Sequence, residues 1–308
     1  MISILLAAYN GEKHIAEQIE SLLGQTQDDF KLYIRDDCST DGTWEIIRNY
    51  EKRYLGKIIV KQNSRNSGSS KYNFIGMMID IKDDYIMLCD QDDIWLPDKI
   101  EKTISKLKDM EARYGKEKPL LVHTDLRVVD ENLNVISPSY REAMNAGYER
   151  TGLRQILIQN VTTGCTAAYN RALADFIRAE PAYMVMHDWW LVLTAAAFGK
   201  IGYLDEQTIL YRQHGANEIG ANDVRTFRYK FNRLMHGGEV RKAINQTYDQ
   251  AASFQEMYLN LLNEEQQALL SAYRQIPAHN KIMRCLMIIR LGVLKHGIER
   301  KIANFLFI

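Results

Sequence analysis

The chain has 308 residues, of which 46% are hydrophobic and 25% are charged, and this is the composition of an ordinary globular protein. Its 39 basic and 39 acidic residues give a formal net charge of zero, which argues against the strongly basic surface of a nucleic-acid-binding protein. Four widely spaced cysteines form no CxxC pair, so neither a zinc knuckle nor a disulfide framework is predicted, and a reducing compartment fits best.

Targeting segments are not predicted. The first run, MISILLAAYN, is typical of a strand, and it lacks the basic region and the cleavage site of a signal peptide. No run of about 18 uncharged apolar residues occurs, so we predict no transmembrane helix. We therefore expect a cytoplasmic protein.

The first 125 residues alternate strand patterns with helix patterns. Apolar runs predict strands at 2–8, 30–36, 57–62, 85–89 and 120–123, and apolar residues at helical spacing lie between them. Alternating strands and helices predict βαβ units, hence an α/β fold with a mostly parallel sheet flanked by helices. In such a sheet, ligands bind at the carboxyl ends of the strands.

From about residue 130 the strand signal weakens. We predict helices at 152–159, 171–179 and 188–198, and extended segments at 161–168 and 207–211. Further helices are predicted at about 224–236, 239–260, 264–275 and 279–306. The composition shift predicts a boundary near residue 220, between an α/β domain at 1–220 and a C-terminal helical region at 221–308.

Three carboxylates follow the fourth predicted strand within four positions, in the segment Tyr85–Asp98, which reads YIMLCDQDDIWLPD. Acidic residues are also common in turns and helix caps. The alternative is a divalent cation, because Mg²⁺ takes carboxylate and phosphate oxygens as ligands. Without that metal, one carboxylate should show a raised pKa. Tyr9, Asn10, Asp36 and Asp37 also follow strands, so these polar groups should converge on one sheet edge.

Two more polar clusters occur later in the chain. His187 and Asp188 open an apolar helix, where Asp188 could equally be a helix cap. His214 follows the predicted strand that ends at Tyr211, and an ordinary loop histidine is the alternative there. The chain contains no GxGxxG, Walker A or GxSxG motif, so a dinucleotide fold, a P-loop and a hydrolase elbow are poorly supported.

The order of these segments resembles glycosyltransferase family 2, the inverting nucleotide-sugar transferases with a GT-A fold. The matching segments span roughly residues 1–220: LLAAYNGEKHI (5–15), SLLGQT (21–26), RDDCSTDGT (35–43), DQDDIWLPDK (90–99), VTTGC (161–165), HDWW (187–190) and YRQH (211–214). Each motif alone is weak, but their shared order is specific. DQDDIWLPDK, TGC, HDWW and YRQHGANEIG most resemble bacterial rhamnosyltransferases, which build cell-wall or surface polysaccharides from dTDP-rhamnose.

The resemblance implies a role for each matching position. Asp37 recognises the base, Asp90 faces the ribose, the donor sugar or the metal, and Asp188 is the general base. Asp92 and His214 bind the metal cofactor, Mn²⁺ or Mg²⁺. The other positions implied for the nucleotide sugar are Ala8, Tyr9, Asn10, Asn66, Gly68, Gln91 and Arg212. Those implied for the acceptor or sugar are Thr163, Gly164, Cys165, His187, Trp189 and Trp190, with core packing as the alternative for at least one tryptophan.

Two departures from the family pattern leave the sugar open. The helix opens with His187-Asp188 where many relatives have Glu-Asp, and the segment Asn66–Ser70 replaces a Gly and Ala-Arg pattern. The donor dTDP-L-rhamnose is favoured, with UDP-glucose, UDP-galactose and UDP-N-acetylglucosamine as alternatives. A non-catalytic scaffold is less favoured, because Asp37, Asp92 and Asp188 are all present.

Residues 281–308 contain six Lys or Arg and one Glu among apolar residues. A basic amphipathic helix of this kind can lie in a membrane interface. The alternative is a helix that packs on the body of the protein or on a second subunit of a homo-oligomer. The resemblance implies a saccharide acceptor carried on a lipid, which favours the membrane and a position at the inner face of the plasma membrane.

Overall fold

The computed structural model describes residues 1–145, 147–213 and 237–308. The chain forms two compact units, and each is assembled from separate stretches. Unit 1 contains Met1–Tyr140, Thr162–Glu180 and the strand segment that follows Phe198. Unit 2 contains Arg141–Val161, Pro181–Ala197 and the C-terminal helices. The division is therefore not a single point in the chain, and the predicted helix at 224–236 lies outside the described residues.

The strands of the described chain form one sheet in unit 1. They are β1 Ile2–Ala8, β2 Phe30–Asp36, β3 Ile58–Gln62, β4 Tyr85–Cys89, β5 Ile94–Trp95, β6 Leu120–Val129, β7 Val135–Ser137, β8 Ala167–Asn170 and β9 Lys200–Arg212. Their order is β3-β2-β1-β4-β8-β6-β9-β5, with β7 beside β6. The first four are parallel neighbours, and β8 runs antiparallel to β4 and β6. The predicted α/β fold is confirmed.

Helices connect these strands and fill unit 2. They are α1 Ile15–Leu23, α2 Thr43–Arg53, α3 Ser70–Asp80, α4 Lys99–Tyr114, α5 Tyr140–Met144, α6 Leu153–Ile156, α7 Arg171–Ala174, α8 His187–Phe198, α9 Gly237–Tyr258, α10 Glu264–Gln275, α11 Lys281–Leu291 and α12 Ile298–Phe307. The helix predicted at 279–306 is wrong as a single helix. Gly292 adopts a left-handed conformation with φ 69° that ends α11, and a new helix begins at Ile298. None of the described helices is both long and apolar enough to cross a bilayer.

Helix packing explains why the first strands are so apolar. Every residue of β1 is buried, as expected for a central parallel strand with helices on both faces. Ile4 and Leu6 pack in one cluster with Ile15 and Ile19 of α1, while α3 contacts the same strand. Strand β2 alternates buried and partly buried residues, because it lies nearer the sheet edge. This core fixes the strand ends, and the loops that follow them carry the polar residues.

Unit 2 has its own aromatic core. Trp190 of α8 packs against Phe254 of α9 with ring centroids 5.3 Å apart and an edge-on geometry. Tyr248 of α9 packs against Tyr273 of α10 with centroids 5.0 Å apart. Such aromatic pairs stabilise beyond their buried area, so α8, α9 and α10 form the packed centre of this unit.

Candidate active site

The loops after β1, β2 and β4 interlock at the carboxyl edge of the sheet. The Gln91 side chain accepts from the Tyr9 N–H at 2.8 Å and donates to the Tyr9 carbonyl at 2.9 Å. The Asn10 N–H donates to Ser39 Oγ at 3.0 Å, and the Thr40 N–H donates to Asn10 Oδ1 at 2.8 Å. The predicted convergence of these segments on one sheet edge is confirmed.

The backbone at this edge takes up uncommon conformations. Asn10 has φ 47° and Cys38 has φ 62°, in the left-handed region that residues other than glycine seldom occupy. A Cβ on Gly11 would lie 2.3 Å from Gln91 Oε1, so a larger residue there would push the Gln91 amide away from Tyr9. Such conformations persist only where neighbouring contacts hold them, and they often occur at functional sites.

Asp37 lies where the loops after β2 and β3 meet, and it is only 3% exposed. Its carboxylate accepts from Asn63 Nδ2 at 2.6 Å, from the Ser67 N–H at 2.9 Å and from Ser67 Oγ at 2.7 Å. Asn66 Nδ2 donates to the Asp37 carbonyl at 2.8 Å, and Asn66 Oδ1 accepts from the N–H of Gly68 at 2.7 Å. Asp37 thus organises the loop that contains two further predicted nucleotide-binding residues.

A cavity of about 460 Å³ opens beside this loop. Its lining is polar and consists of Arg35, Asn63, Ser64, Arg65, Asn66, Ser67, Tyr72 and Glu180. This volume lies within the usual range for a small-molecule site, roughly 300–1,000 Å³. The Arg35 guanidinium also forms an ion pair with Asp80 of α3, which fixes its position. The cavity therefore has the size and the polar lining, with two arginines and one glutamate, that suit a small polar ligand.

A second cluster, of Asp90, Asp93 and Cys165, brings one ligand atom from each residue within 4.8 Å of the others. Asp93 is 1% exposed, and burial together with the charges of Asp92 and Asp90 raises the pKa of its carboxyl well above the usual range. This confirms the expectation of a raised carboxyl pKa. Asp93 Oδ1 accepts from the Arg212 N–H at 3.2 Å, while Oδ2 has no hydrogen-bond donor among the described residues.

These residues fit a hard divalent cation, because carboxylate oxygens are its preferred ligands and one buried oxygen lacks a donor. Cys165 is a poor ligand for such an ion. Burial raises the pKa of its thiol well above the usual range, and the negative charges of Asp93 and Asp90 raise it further, so the thiol stays protonated. Asp92 is half-buried and is not one of the three clustered residues, and His214 lies outside the described part of the chain.

Asp93 was missed as a site residue by the sequence reasoning. Its only sequence signal is that it is the third carboxylate of the run and directly precedes strand β5, whose Trp95 is buried. Lys99 was missed as well, because its burial is a tertiary property. Burial lowers the pKa of Lys99 to about 8, so its ammonium remains charged at neutral pH. The ammonium lies 4.5 Å from the Trp95 ring centroid and interacts electrostatically with Asp93, which partly offsets the buried negative charge.

Arg212 holds the backbone of the carboxylate loop. Its side chain is 4% exposed and pairs with Glu17 of α1 at 2.5 Å. The guanidinium also donates to the Asp92 carbonyl and the Glu131 carbonyl, both at 3.1 Å. The expected contact with a diphosphate stays a prediction. Glu17 gave no sequence signal, because an acidic residue on the polar face of a helix is ordinary.

Thr163, Gly164 and Cys165 form the start of a short 3-10 turn in unit 1. The Thr163 carbonyl accepts from the N–H and the hydroxyl of Thr166, at 2.9 and 2.7 Å. Gly164 and Cys165 are buried, so Thr163 is the member of this motif with partial exposure. Ala8 is also buried and accepts a backbone bond from Asp37, and it can border a ligand only through its main chain.

The HDWW residues belong to unit 2. Asp188 is 8% exposed in the first turn of α8, and its Oδ1 accepts from the Trp189 N–H at 2.6 Å. Trp189 Nε1 donates to the Ile156 carbonyl at 2.7 Å, which fixes its ring. Burial lowers the pKa of His187 to about 3, so this imidazole is neutral. Trp190 is fully buried, and its position matches core packing rather than contact with a sugar.

Known sequences give an independent view of the chain. A family model described as glycosyl transferase family 2 matches residues 3–176. The dTDP-rhamnosyl transferase RfbG of Shigella flexneri is 30% identical over 240 residues, covering 74% of this chain and 78% of that protein. The UDP-Glc:alpha-D-GlcNAc-diphosphoundecaprenol beta-1,3-glucosyltransferase WfaP of Escherichia coli is 36% identical over 104 residues, covering 34% of this chain and 40% of that protein.

Solved structures share the architecture. S. aureus TarS in complex with UDP gives a TM-score of 0.57 at 17% identity, over 91% of this chain and 73% of that chain. The mannosyltransferase PcManGT from Pyrobaculum calidifontis, in complex with GDP-Man and Mn²⁺, gives 0.54 at 15% identity, over 99% of this chain and 83% of that chain. These likenesses show the GT-A fold. Because the family model covers more than half of its residues, the chain belongs to glycosyl transferase family 2.

Proposed function

We propose that this enzyme transfers L-rhamnose from dTDP-L-rhamnose, with inversion, to a hydroxyl of a growing, lipid-linked polysaccharide. The observation that carries the donor assignment is the similarity to RfbG over 74% of the chain. The proposed reaction takes place in the cytoplasm, at the inner face of the plasma membrane.

The nucleoside end of the donor is assigned to the loops around Asp37. Its carboxylate accepts from Asn63 and Ser67, so an imide N–H of a pyrimidine base can take the place of one of these donors. Tyr9 is 47% exposed beside Asn10, so its ring is available to border the nucleotide. The neighbouring polar cavity supports this assignment, because its volume and lining suit a small polar ligand.

The diphosphate end is assigned to the carboxylate loop. Asp90 and Asp92 are the proposed ligands of Mn²⁺ or Mg²⁺, together with His214, and the buried Asp93 carboxyl lies close to Asp90. When bound, the cation stabilises the charge that develops on the leaving nucleoside diphosphate. Arg212, paired with Glu17, keeps the Asp92 backbone in place.

The proposed base is Asp188. Its carboxylate takes the proton of the acceptor hydroxyl as that oxygen bonds to the anomeric carbon and the bond to the diphosphate breaks. Such a base has to lie about 3 Å from the hydroxyl oxygen. The Trp189 N–H restrains one carboxylate oxygen, and neutral His187 adds no competing charge. The assignment rests on the HDWW pattern and on this restrained position in the first helical turn.

A second candidate donor is a UDP-sugar, with the same fold and mechanism. The similarity to WfaP, whose name specifies UDP-Glc, favours it, although that match covers only 34% of the chain. Thymine and uracil present the same imide edge to Asp37, so this carboxylate alone would not separate the two donors. Discrimination must come from contacts to the sugar.

The decisive experiment is calorimetric titration of the full chain with dTDP-L-rhamnose, UDP-glucose and UDP-N-acetylglucosamine, each with Mn²⁺ and with EDTA. We expect tight, metal-dependent binding of dTDP-L-rhamnose and weak binding of the others. Preference for a UDP-sugar would overturn the donor and keep the mechanism. Equal binding in EDTA would overturn the metal role.

A further inference from the structure

The last two helices carry apolar side chains that the rest of the described chain leaves uncovered. On α11, Ile282, Leu286 and Ile289 are 76%, 55% and 56% exposed. On α12, Ile298 and Ile302 are 73% and 53% exposed. Their spacing of three or four residues places them on one face of each helix. We call this the tail face, and its other apolar members are Met283 and Leu306.

The tail face is a concentration of apolar residues and not scattered exposure. Sixteen large hydrophobic residues are exposed in the described chain, and seven of them lie in residues 281–308. Isolated exposed hydrophobic residues are normal, but contiguous groups mark sites that bind a partner or a membrane. The two helix ends are also joined, because Lys281 Nζ donates to the Leu306 carbonyl at 2.6 Å.

The same segment carries an excess of basic over acidic residues. It holds six of the 39 basic residues but only one of the 39 acidic residues. Arg284 donates to the His279 and Pro277 carbonyls, and Arg300 donates to the Asn145 and Met144 carbonyls. The cations Arg290 and Lys301 are exposed on the same two helices.

We propose that the tail face docks on an anionic lipid surface, with the apolar stripes in the headgroup region and the cations beside lipid phosphates. An amphipathic helix with basic residues binds such a surface through both contributions. A second copy of the chain fits less well. A two-fold dimer places a patch against itself, and here that would bring two strongly basic segments together.

The test measures binding of the full-length protein to vesicles by flotation. One set of vesicles is phosphatidylcholine alone, and the other is an equal mixture of phosphatidylcholine and phosphatidylglycerol. We expect binding to the anionic vesicles only, and weakening by added salt, because salt screens the charge attraction. Equal binding to both vesicle types, or to neither, would overturn the proposal.

Two variants separate the apolar and ionic contributions. Ile282→Ser with Ile302→Ser removes one exposed side chain from each stripe, and Arg290→Glu with Lys301→Glu reverses two exposed charges. Each charge near the surface contributes about a five-fold change in affinity, so reversing two should weaken binding more than about twenty-fold. The matched controls, Leu55→Ser and Lys52→Glu, change an exposed apolar and an exposed basic residue elsewhere.

Donor binding in solution provides the check on folding and should be unchanged in all four variants. Vesicle binding by the tail-face variants at the wild-type level would overturn the proposal. So would a wild-type dimer in light scattering that the Ile282→Ser, Ile302→Ser variant dissociates, because the face would then cover itself. If the wild-type protein does not bind the donor, the proposed function is contradicted. The conclusion from the vesicle assay does not depend on that result.

Discussion

Carboxylates that are adjacent in sequence have different surroundings in the structure. Asp36 is fully buried and accepts hydrogen bonds from Ser39 and Gln62, so its carboxylate stabilises the turn that follows β2. Asp37, its neighbour, points to the loop after β3 and is satisfied by that loop. Asp93 is buried with a raised pKa, while Asp92 is half-buried. The burial of each carboxylate and the donors around it therefore distinguish structural aspartates from candidate ligand-binding ones, which residue type alone cannot do.

The metal assignment predicts different effects of two neighbouring substitutions. Asp92→Asn removes a proposed ligand and should weaken Mn²⁺ binding by more than about 100-fold. Asp93→Asn alters a buried carboxyl beside the proposed ligands and should weaken Mn²⁺ binding by about ten-fold. Calorimetry with Mn²⁺ in the presence of the donor measures both affinities. If the order of the two effects is reversed, Asp93 is the direct ligand.

The base assignment predicts a split between binding and turnover. Asp188→Asn should lower kcat by about 10²- to 10⁴-fold, because the amide cannot accept the hydroxyl proton. The dissociation constant of the donor should stay the same. Steady-state sugar transfer and donor titration give the two quantities, with Asp249→Asn, an exposed aspartate of α9, as the matched control. Equal loss of donor binding and turnover would contradict the role of Asp188.

At the scale of elements, apolar runs predicted the bounds of several strands, whereas long-range pairing decided the length of another. The predicted bounds 2–8, 30–36 and 85–89 match β1, β2 and β4, and 264–275 matches α10, which begins with a capping box formed by Asn263 and Gln266. The helix predicted at 171–179 ends at Ala174, and the strand predicted at 207–211 extends over Lys200–Arg212. The long strand gains its length from parallel pairing with β6, which is not a local property.

Two glycines give a matched prediction about packing. A Cβ on Gly199 would lie 1.7 Å from the Pro119 carbonyl oxygen, which is backbone and must shift, whereas no described residue lies within 4 Å of a Cβ on Gly238. Gly199→Ala should therefore destabilise the protein by about 1–3 kcal/mol. Gly238→Ala, in the first turn of α9, should be neutral or stabilise it by up to about 1 kcal/mol. Thermal unfolding compares the two, and equal melting temperatures would contradict the close approach of the chain at Gly199.

At the scale of the whole molecule, buried histidines couple stability to pH. Burial lowers the pKa of His123 to about 3, well below the value of about 6.5 in an unfolded chain. Between these values the unfolded chain takes up a proton that the native protein does not, so stability falls as pH falls. Each such histidine should lower the free energy of unfolding by about 2 kcal/mol as the pH falls from about 7 to about 5.

The variant His123→Gln removes one of these titrating groups. The loss of unfolding free energy over that pH interval should be smaller than in wild type by about 2 kcal/mol. Denaturant unfolding at each pH measures it, and taking the difference within each protein cancels any packing cost of the substitution. An unchanged pH dependence would show that His123 does not contribute to the acid sensitivity.

The sequence alone determined the fold class, the family resemblance and the segments that carry polar residues, because these depend on local apolar patterns and on motif order. It also predicted the convergence of the Tyr9, Asp37 and Asp90 segments, since parallel strands place their carboxyl ends together. It left open which of Trp189 and Trp190 is a core residue, and it gave no sign that Glu17 pairs with Arg212 or that Lys99 is buried. Only the tertiary structure decided these points, because burial and long-range pairing depend on contacts between residues far apart in the chain.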